Sequence, residues 1–210
     1  AHEVKNPLNA MLIHLELLRQ QVAAGHADPS SGPGVHIDVI ASEIRRLDDV
    51  MQGLLKFTRP ETLHLQPVSV RTLFDDVAAV VSPEAARAGV TLALEPGDAP
   101  DISGDPGLLK QAFLNLALNA CQAMPDGGAL RLSARAARGR RVEVTCADTG
   151  VGIEPVNLQK IFNLYFTTKE KGSGIGLSMV FRTVQLHDGE IEVQSTPGAG
   201  TTFTVWLPMA

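Results

Sequence analysis

The sequence predicts an α+β chain built in two parts: a helical hairpin that pairs into a dimeric four-helix bundle, then an α/β sandwich whose mixed sheet is covered by helices on one face. Three observations carry this reading. Apolar residues recur at alternating spacings of four and three near the start of the chain, which is a heptad seam. A proline-punctuated stretch then interrupts the pattern. Beyond it, segments with helical period alternate with segments in which every second residue is apolar, as in strands covered on one face.

The first seam is Val4, Leu8, Met11, Leu15, Leu18 and Val22, and the connector Ala24 to Val35 is rich in glycine and proline. The second seam is Ile37, Ile40, Ile44, Leu47, Met51 and Leu54, ending near Thr58-Arg59-Pro60, where proline disfavours further helix. Two helices of similar length cannot bury both seams and the flanking Leu12, Val50 and Leu55 alone, so two copies are expected to pair as a homodimer. The expected boundaries are 1–58 for the hairpin, 59–67 for a linker and 68–210 for the second domain. There, "VRTLFDDVAAVVSPEAARAG" reads as a helix and "VTLALEP" as a strand. "DPGLLKQAFLNLALNACQAM" reads as a long helix capped by Asp105 with Pro106 at its first position. "ALRLSARAA" and "RVEVTCADTG" alternate as strands, "GSGIGLSMVFRTVQLHDG" returns to helix, and "EIEVQSTPGAGTTFTVWLP" is a hairpin turning at Gly198 and Gly200.

With 44% apolar residues in 210, the chain can bury a substantial core, and a net charge of −5 argues against nucleic acid as a partner. Cys121 and Cys146 lack metal-ligand spacing and read as buried free thiols of a reducing compartment. No apolar run approaches the roughly 20 residues of a membrane span. The fragment is therefore expected to be cytoplasmic, starting at Ala1 without an initiator methionine, with any membrane contact made only through a segment absent from it.

Six short motifs stand in order: "AHEVKNPLNA", "LLKFTRP", "NLALNACQA", "DTGVGI", "IFNLYFTTK" and "GSGIGLS". His2, Glu3, Asn6 and Pro7 resemble the phosphoacceptor box of sensor histidine kinases, and "LLKFTRP" resembles the end of their second dimerisation helix. The last four resemble the N, G1, F and G2 boxes of the catalytic domain, which belongs to a wider ATPase superfamily with gyrase B subunits, mismatch-repair ATPases and heat-shock chaperones. The resemblance covers essentially the whole chain. It implies ATP and Mg²⁺ as cofactors, a response regulator receiver domain as partner, and phosphoryl transfer as the reaction. The rival readings are an ATP-hydrolysing member of the superfamily without phosphotransfer and a non-catalytic dimerisation module with a degenerate nucleotide site.

Asn115 and Asn119, four apart, share one helix face and present amide oxygens, hard ligands suited to Mg²⁺. The resemblance assigns Asn119 as the metal ligand and Asn115 as a phosphate-side neighbour. Gln122 stands where many family members carry a phosphate-touching lysine; it offers a hydrogen bond but no charge. By the same likeness Asp148 accepts a proton from the adenine amino group, while Gly150 and Gly152 let backbone approach a flat ligand. Gly172, Gly174 and Gly176 precede a helix whose free N–H groups suit phosphate oxygens. Phe162, Tyr165 and Phe166 are expected at the base of a mobile lid, with Lys169 and Lys171 as candidates to meet the triphosphate or as solvated loop charges. Thr201 resembles a hydroxyl position that supports adenine recognition.

On a helical wheel of about 100 degrees per residue with Val4 at zero, the seam spans roughly −40 to +40 degrees, whereas His2 falls near 160 and Asn6 near 200. His2 is thus expected to face outside partners, with Glu3 placed to accept a hydrogen bond from one ring nitrogen and so activate the other. Asn6 resembles the position that orients a hydrolytic water in members that also act as phosphatases, or is a plain helix asparagine. Ile13 and Leu17 lie on the same stripe as His2, opposite the seam, and suggest a docking patch for the regulator. His14, His26, His36, His64 and His187 read as bystanders, with no metal-ligand pair among them.

Overall fold

The computed structural model describes residues 10–20, 35–44, 63–169 and 172–210. His2, Glu3, Asn6 and half of each heptad seam, Val4, Leu8 and Val22 of the first and Leu47, Met51 and Leu54 of the second, lie outside the described residues. The chain divides into two units, one of Ala1–Pro60 with Thr168–Ile175, the other of Glu61–Thr167 with Gly176–Ala210.

In the first unit, residues 10–20 form helix α1 and residues 35–44 form helix α2, where the heptad spacing predicts helix. Met11, His14 and Leu18, at spacings of three and four, are half-buried on α1, and on α2 His36 is buried while Ile40 is half-buried. The neighbouring apolar residues Leu12, Leu15, Ile37 and Ile44 are each more than half exposed in the single chain. The predicted seam therefore splits, with Met11, Leu18 and Ile40 partly covered within one chain and Leu15, Ile37 and Ile44 left uncovered.

In the second unit the elements are β1 (Gln66–Val68), α3 (Val70–Arg87), β2 (Val90–Glu95), β3 (Ile102–Gly104), α4 (Pro106–Gln122), β4 (Gly128–Ala137), β5 (Arg141–Asp148), α5 (Pro155–Leu158), α6 (Gly176–Leu186), β6 (Glu190–Thr196) and β7 (Gly200–Pro208). A five-stranded sheet runs β2-β4-β5-β7-β6, parallel between β2 and β4 and antiparallel elsewhere, and β1 pairs with β3 as a separate antiparallel ribbon. The parallel pair needs a crossover, which contains α4. Alternation decides which way each strand faces. Leu130 and Leu132 of β4, Val142, Val144 and Cys146 of β5, and Phe203, Val205 and Leu207 of β7 are buried in one core with Phe74, Val77 and Val81 of α3 and Phe113 and Leu116 of α4. On the other face no helix layer is needed, because polar side chains bond across the strands: Glu143 accepts from Arg135 Nε at 2.8 Å and from Trp206 Nε1 at 3.2 Å. Helices thus cover one face, the expected α/β sandwich. Both cysteines are free and buried; burial pushes the Cys146 thiol far up and also raises Cys121, so neither is a reactive thiolate. Among the described residues no helix is long and apolar enough to cross a membrane.

α4 is the helix that positions the site, and its start is over-determined. Asp105 Oδ1 accepts from the N–H groups of Gly107 (3.0 Å) and Leu108 (3.1 Å), and Oδ2 from that of His64 (3.3 Å), tying the residues before β1 to the cap. The Asp105 N–H in turn donates to His187 Nε2 at 2.9 Å, and His187 Nδ1 bonds the Thr183 carbonyl at 2.7 Å, so this buried histidine joins the end of α6 to the start of α4. Partial burial works to raise the Asp105 carboxyl, but the N–H bonds from Leu108, His64 and Gly107, with His187 nearby, win and hold it below the ordinary carboxylate range. A depressed carboxyl adds stability above its unfolded-state pKa, and that stability is lost as pH falls through the folded-state value. Asp105→Ala is expected to cost about 1–2 kcal/mol at neutral pH. Asp105→Asn should keep most of the cap yet flatten part of the loss of stability that the parent shows below about pH 4. Urea melts of the three proteins across that range check both expectations.

Candidate functional site

At the end of the sheet, Asp148 closes β5 in register with Leu130 of β4 and Thr201 of β7. Its Oδ1 accepts the N–H of Gly150 at 2.8 Å and of Thr201 at 3.2 Å, so the carboxylate is aimed by backbone on two sides. The loop that follows is pinned from both directions. Val151 N–H donates to the Ala123 carbonyl at the end of α4 (3.0 Å), and Gly198 N–H donates to the Val151 carbonyl (2.8 Å). A Cβ on Gly150 would lie 2.5 Å from the Ala123 oxygen, and one on Gly152, whose φ is +71°, would collide with the Thr196 carbonyl. These two glycines are required by how closely the backbones meet.

Ser195, which the sequence reading did not single out, is the hub of this corner. Its Oγ accepts from Ile153 N–H (2.8 Å), donates to the Gly200 carbonyl (2.9 Å) and lies 2.9 Å from Thr201 Oγ1. The signal that could have found it is the strand pairing, which sets Ser195 opposite Thr201. Thr201 is buried, so its hydroxyl is committed to this network beside Asp148.

Asn115 and Asn119 project from α4, half-buried, toward the start of α6. Asn115 Nδ2 donates to the Gly176 carbonyl at 3.4 Å and its Oδ1 accepts from Gln111 at 3.3 Å. A Cβ on Gly176 would sit 3.7 Å from Asn119 Nδ2. The asparagine pair and the last glycine of the glycine-rich segment are therefore neighbours, as their shared helix face requires. Gln122 is exposed at the end of α4. Phe166 is half-buried against the core, and Phe162 stacks near Phe181 and Phe203 at ring distances of 5.3 and 6.4 Å, giving the segment after α5 an aromatic base.

Lys169, Gly172 and Gly174 fall in Thr168–Ile175, which belongs to the first unit. There Lys169 is exposed, its carbonyl accepts from Gly172 N–H at 3.1 Å, and Gly174 has φ +66°. Lys171 lies outside the described residues. His14 and His36, which read as bystanders in sequence, meet with their Nδ1 atoms 2.9 Å apart. The pairing depends on how α1 and α2 are rotated against each other, which heptad spacing does not fix.

Two family profiles match the chain. "Histidine kinase-, DNA gyrase B-, and HSP90-like ATPase" covers residues 104–210, and "His Kinase A (phospho-acceptor) domain" covers residues 1–63. This chain belongs to the histidine kinase-, DNA gyrase B- and HSP90-like ATPases, with a phospho-acceptor domain match ahead of the ATPase region. The chain is similar to the sensor histidine kinase ZraS of Escherichia coli strain K12, 37% identical over 210 residues, covering 100% of the chain and 44% of that relative. It is 30% identical to sporulation kinase E of Bacillus subtilis strain 168, covering 100% of the chain and 28% of that relative. It thus spans less than half the length of these curated relatives. Among solved structures, full-length ShkA in complex with AMPPNP matches with a TM-score of 0.72 and 30% identity, over 100% of this chain and 44% of that one. Histidine kinase ThkA, solved with its response regulator protein TrrA, matches with a TM-score of 0.78 over 100% of this chain and 60% of that one; at 21% identity that likeness speaks for the fold.

Proposed function

We propose that this kinase core transfers the γ-phosphate of ATP to His2 and then passes it to an aspartate of a response regulator. The observation that carries the reading is the corner where Asp148, fixed by Gly150 and Thr201, stands at the end of the sheet on the same unit as the paired asparagines of α4. There Asp148 accepts a hydrogen bond from the adenine amino group, supported by the Thr201 and Ser195 hydroxyl network. Gly150 and Gly152 let the loop lie flat against the base, Phe166 anchors the lid, and Gly172, Gly174 and Gly176 offer N–H groups to phosphate oxygens. Lys169 and Gln122 contribute a charge and a hydrogen bond to the triphosphate.

The amide donors of α4 fit a hard cation. Asn119 would hold Mg²⁺ through its side-chain oxygen, with Asn115 beside it, and the ion when bound supplies positive charge against the phosphates. Glu3 accepts a hydrogen bond from one nitrogen of His2, and the lone pair of the remote nitrogen forms the new N–P bond while the γ-phosphorus loses its bond to the β-γ bridging oxygen and ADP departs with that electron pair. Asn6, four residues on in sequence, orients water when phosphate is later removed from the regulator.

The hairpin serves as the homodimer interface, supported by the uncovered Leu12, Leu15, Ile37 and Ile44. Ile13 and Leu17, 60% and 41% exposed, are the surface offered to the receiver domain. The match over residues 1–63 favours this reading over an ATPase without phosphotransfer. Incubation with γ-labelled ATP tests it: label should stay on the chain in alkali and leave in acid, as phosphohistidine does. Labelled free phosphate with none on the chain would instead identify the ATPase.

A further inference from the structure

His14 of α1 and His36 of α2 are 22 residues apart in sequence, yet their Nδ1 atoms approach to 2.9 Å, with ring centroids 5.2 Å apart and planes tilted by 49°. His36 is only 8% exposed and His14 is half-buried, so the contact sits in the seam between the helices with one open side. Two neutral imidazoles can hold that geometry only as unlike tautomers, one Nδ1 donating its proton and the other accepting it. If both rings carry their proton on Nε2, two lone pairs face each other and the contact is repulsive unless a cation occupies the space. A metal ion can take the place of the shared proton once both rings turn so that their lone pairs converge on one point beside the N–N line.

We propose that His14 and His36 form a two-imidazole site for a divalent transition-metal ion that clips α1 to α2. With metal–nitrogen bonds of about 2.0–2.1 Å, two ligands at a right angle lie about 2.9 Å apart, whereas a tetrahedral angle needs about 3.3 Å. The observed spacing is within reach of either arrangement once the rings adjust. Neutral imidazole is the ligand of choice for divalent transition-metal ions. Among the described residues no cluster of three or more histidine, cysteine, aspartate or glutamate side chains forms, so water completes the coordination and the ion exchanges readily. Its effect is to fix the rotation of one helix against the other.

The 210-residue chain titrated with Ni²⁺ by calorimetry should bind one equivalent per chain, and His14→Gln and His36→Gln should each weaken binding at least tenfold. His64→Gln should leave it unchanged, because its ring is not one of the two that meet. Cu²⁺ provides a second readout that does not depend on affinity: its paramagnetic resonance should show two equivalent imidazole nitrogens in the parent and one in either variant. Far-ultraviolet circular dichroism confirms that each variant keeps its helices, and His14, less buried than His36, is the one least costly to change. Absence of a one-to-one Ni²⁺ complex, or a complex that survives both substitutions with its nitrogen pattern intact, would overturn the site.

Discussion

Asp148→Asn is expected to weaken ATP binding at least about 100-fold, roughly 2.7 kcal/mol, and to remove autophosphorylation with it, while the fold stays intact. The substitution is isosteric, and the amide oxygen can take over the bonds from Gly150 and Thr201 N–H, so the corner keeps its shape. What changes is the other atom of the side chain. In the proposed adenine contact the carboxylate is an acceptor for the amino group, whereas the asparagine presents an N–H pair, so that donor would face donor. Leaving such groups unpaired costs about 1–3 kcal/mol, more when a charge is lost from the pair. A site built around one hydrogen bond discriminates strongly against a partner that cannot make it. Displacement of a fluorescent nucleotide measures the affinity, and a thermal melt within about 2 °C of the parent shows that the fold has survived. ATP affinity unchanged in a folded Asp148→Asn protein would remove Asp148 from the adenine contact.

How much of this was legible in the sequence varies by element, for physical reasons. α4 could be read to the residue at its start, because Asp105-Pro106 is a local cap signal and the apolar period follows at once. β4, β5 and β7 were legible from alternation, since one face meets helices and the other meets solvent and cross-strand ion pairs. β1 and β3 were not, and Gln66 and Pro67, read as linker, take part in β1. Three residues carry too little period to register, and the ribbon forms by pairing across more than thirty residues. The site divides in the same way. Asn115, Asn119, Asp148 and the glycines announce themselves by type and spacing along one segment. The Ser195 network and the His14–His36 contact arise only from register and helix rotation, which a single sequence does not encode locally.

Gly200→Ala is the substitution expected to damage the fold most for the smallest change of side chain, with a loss of about 3 kcal/mol or more and a fall in Tm of roughly 10 °C. Two costs add. The backbone at Gly200 has φ +101°, in the left-handed half of conformational space that an L side chain enters at a penalty of about 1–2 kcal/mol. A Cβ there would also run into the Asp148 carbonyl oxygen and come within 2.9 Å of Thr149 Cα, and both obstacles are backbone held by strand pairing, so no rotamer can relieve the clash. To admit the methyl group, β7 must lift from β5 where Thr201 faces Asp148, breaking the Thr201 N–H bond to the carboxylate and disturbing the bond from Ser195 Oγ to the Gly200 carbonyl. Gly198 supplies the control, two residues away in the same turn. It too has positive φ, +76°, but a Cβ there meets nothing within 4 Å, so Gly198→Ala should cost only the conformational penalty, about 1 kcal/mol. Thermal and urea melts of the two variants separate the terms. Equal losses would mean that strain alone governs the turn and that the close packing of Gly200 on Asp148 is not what holds this corner of the site together.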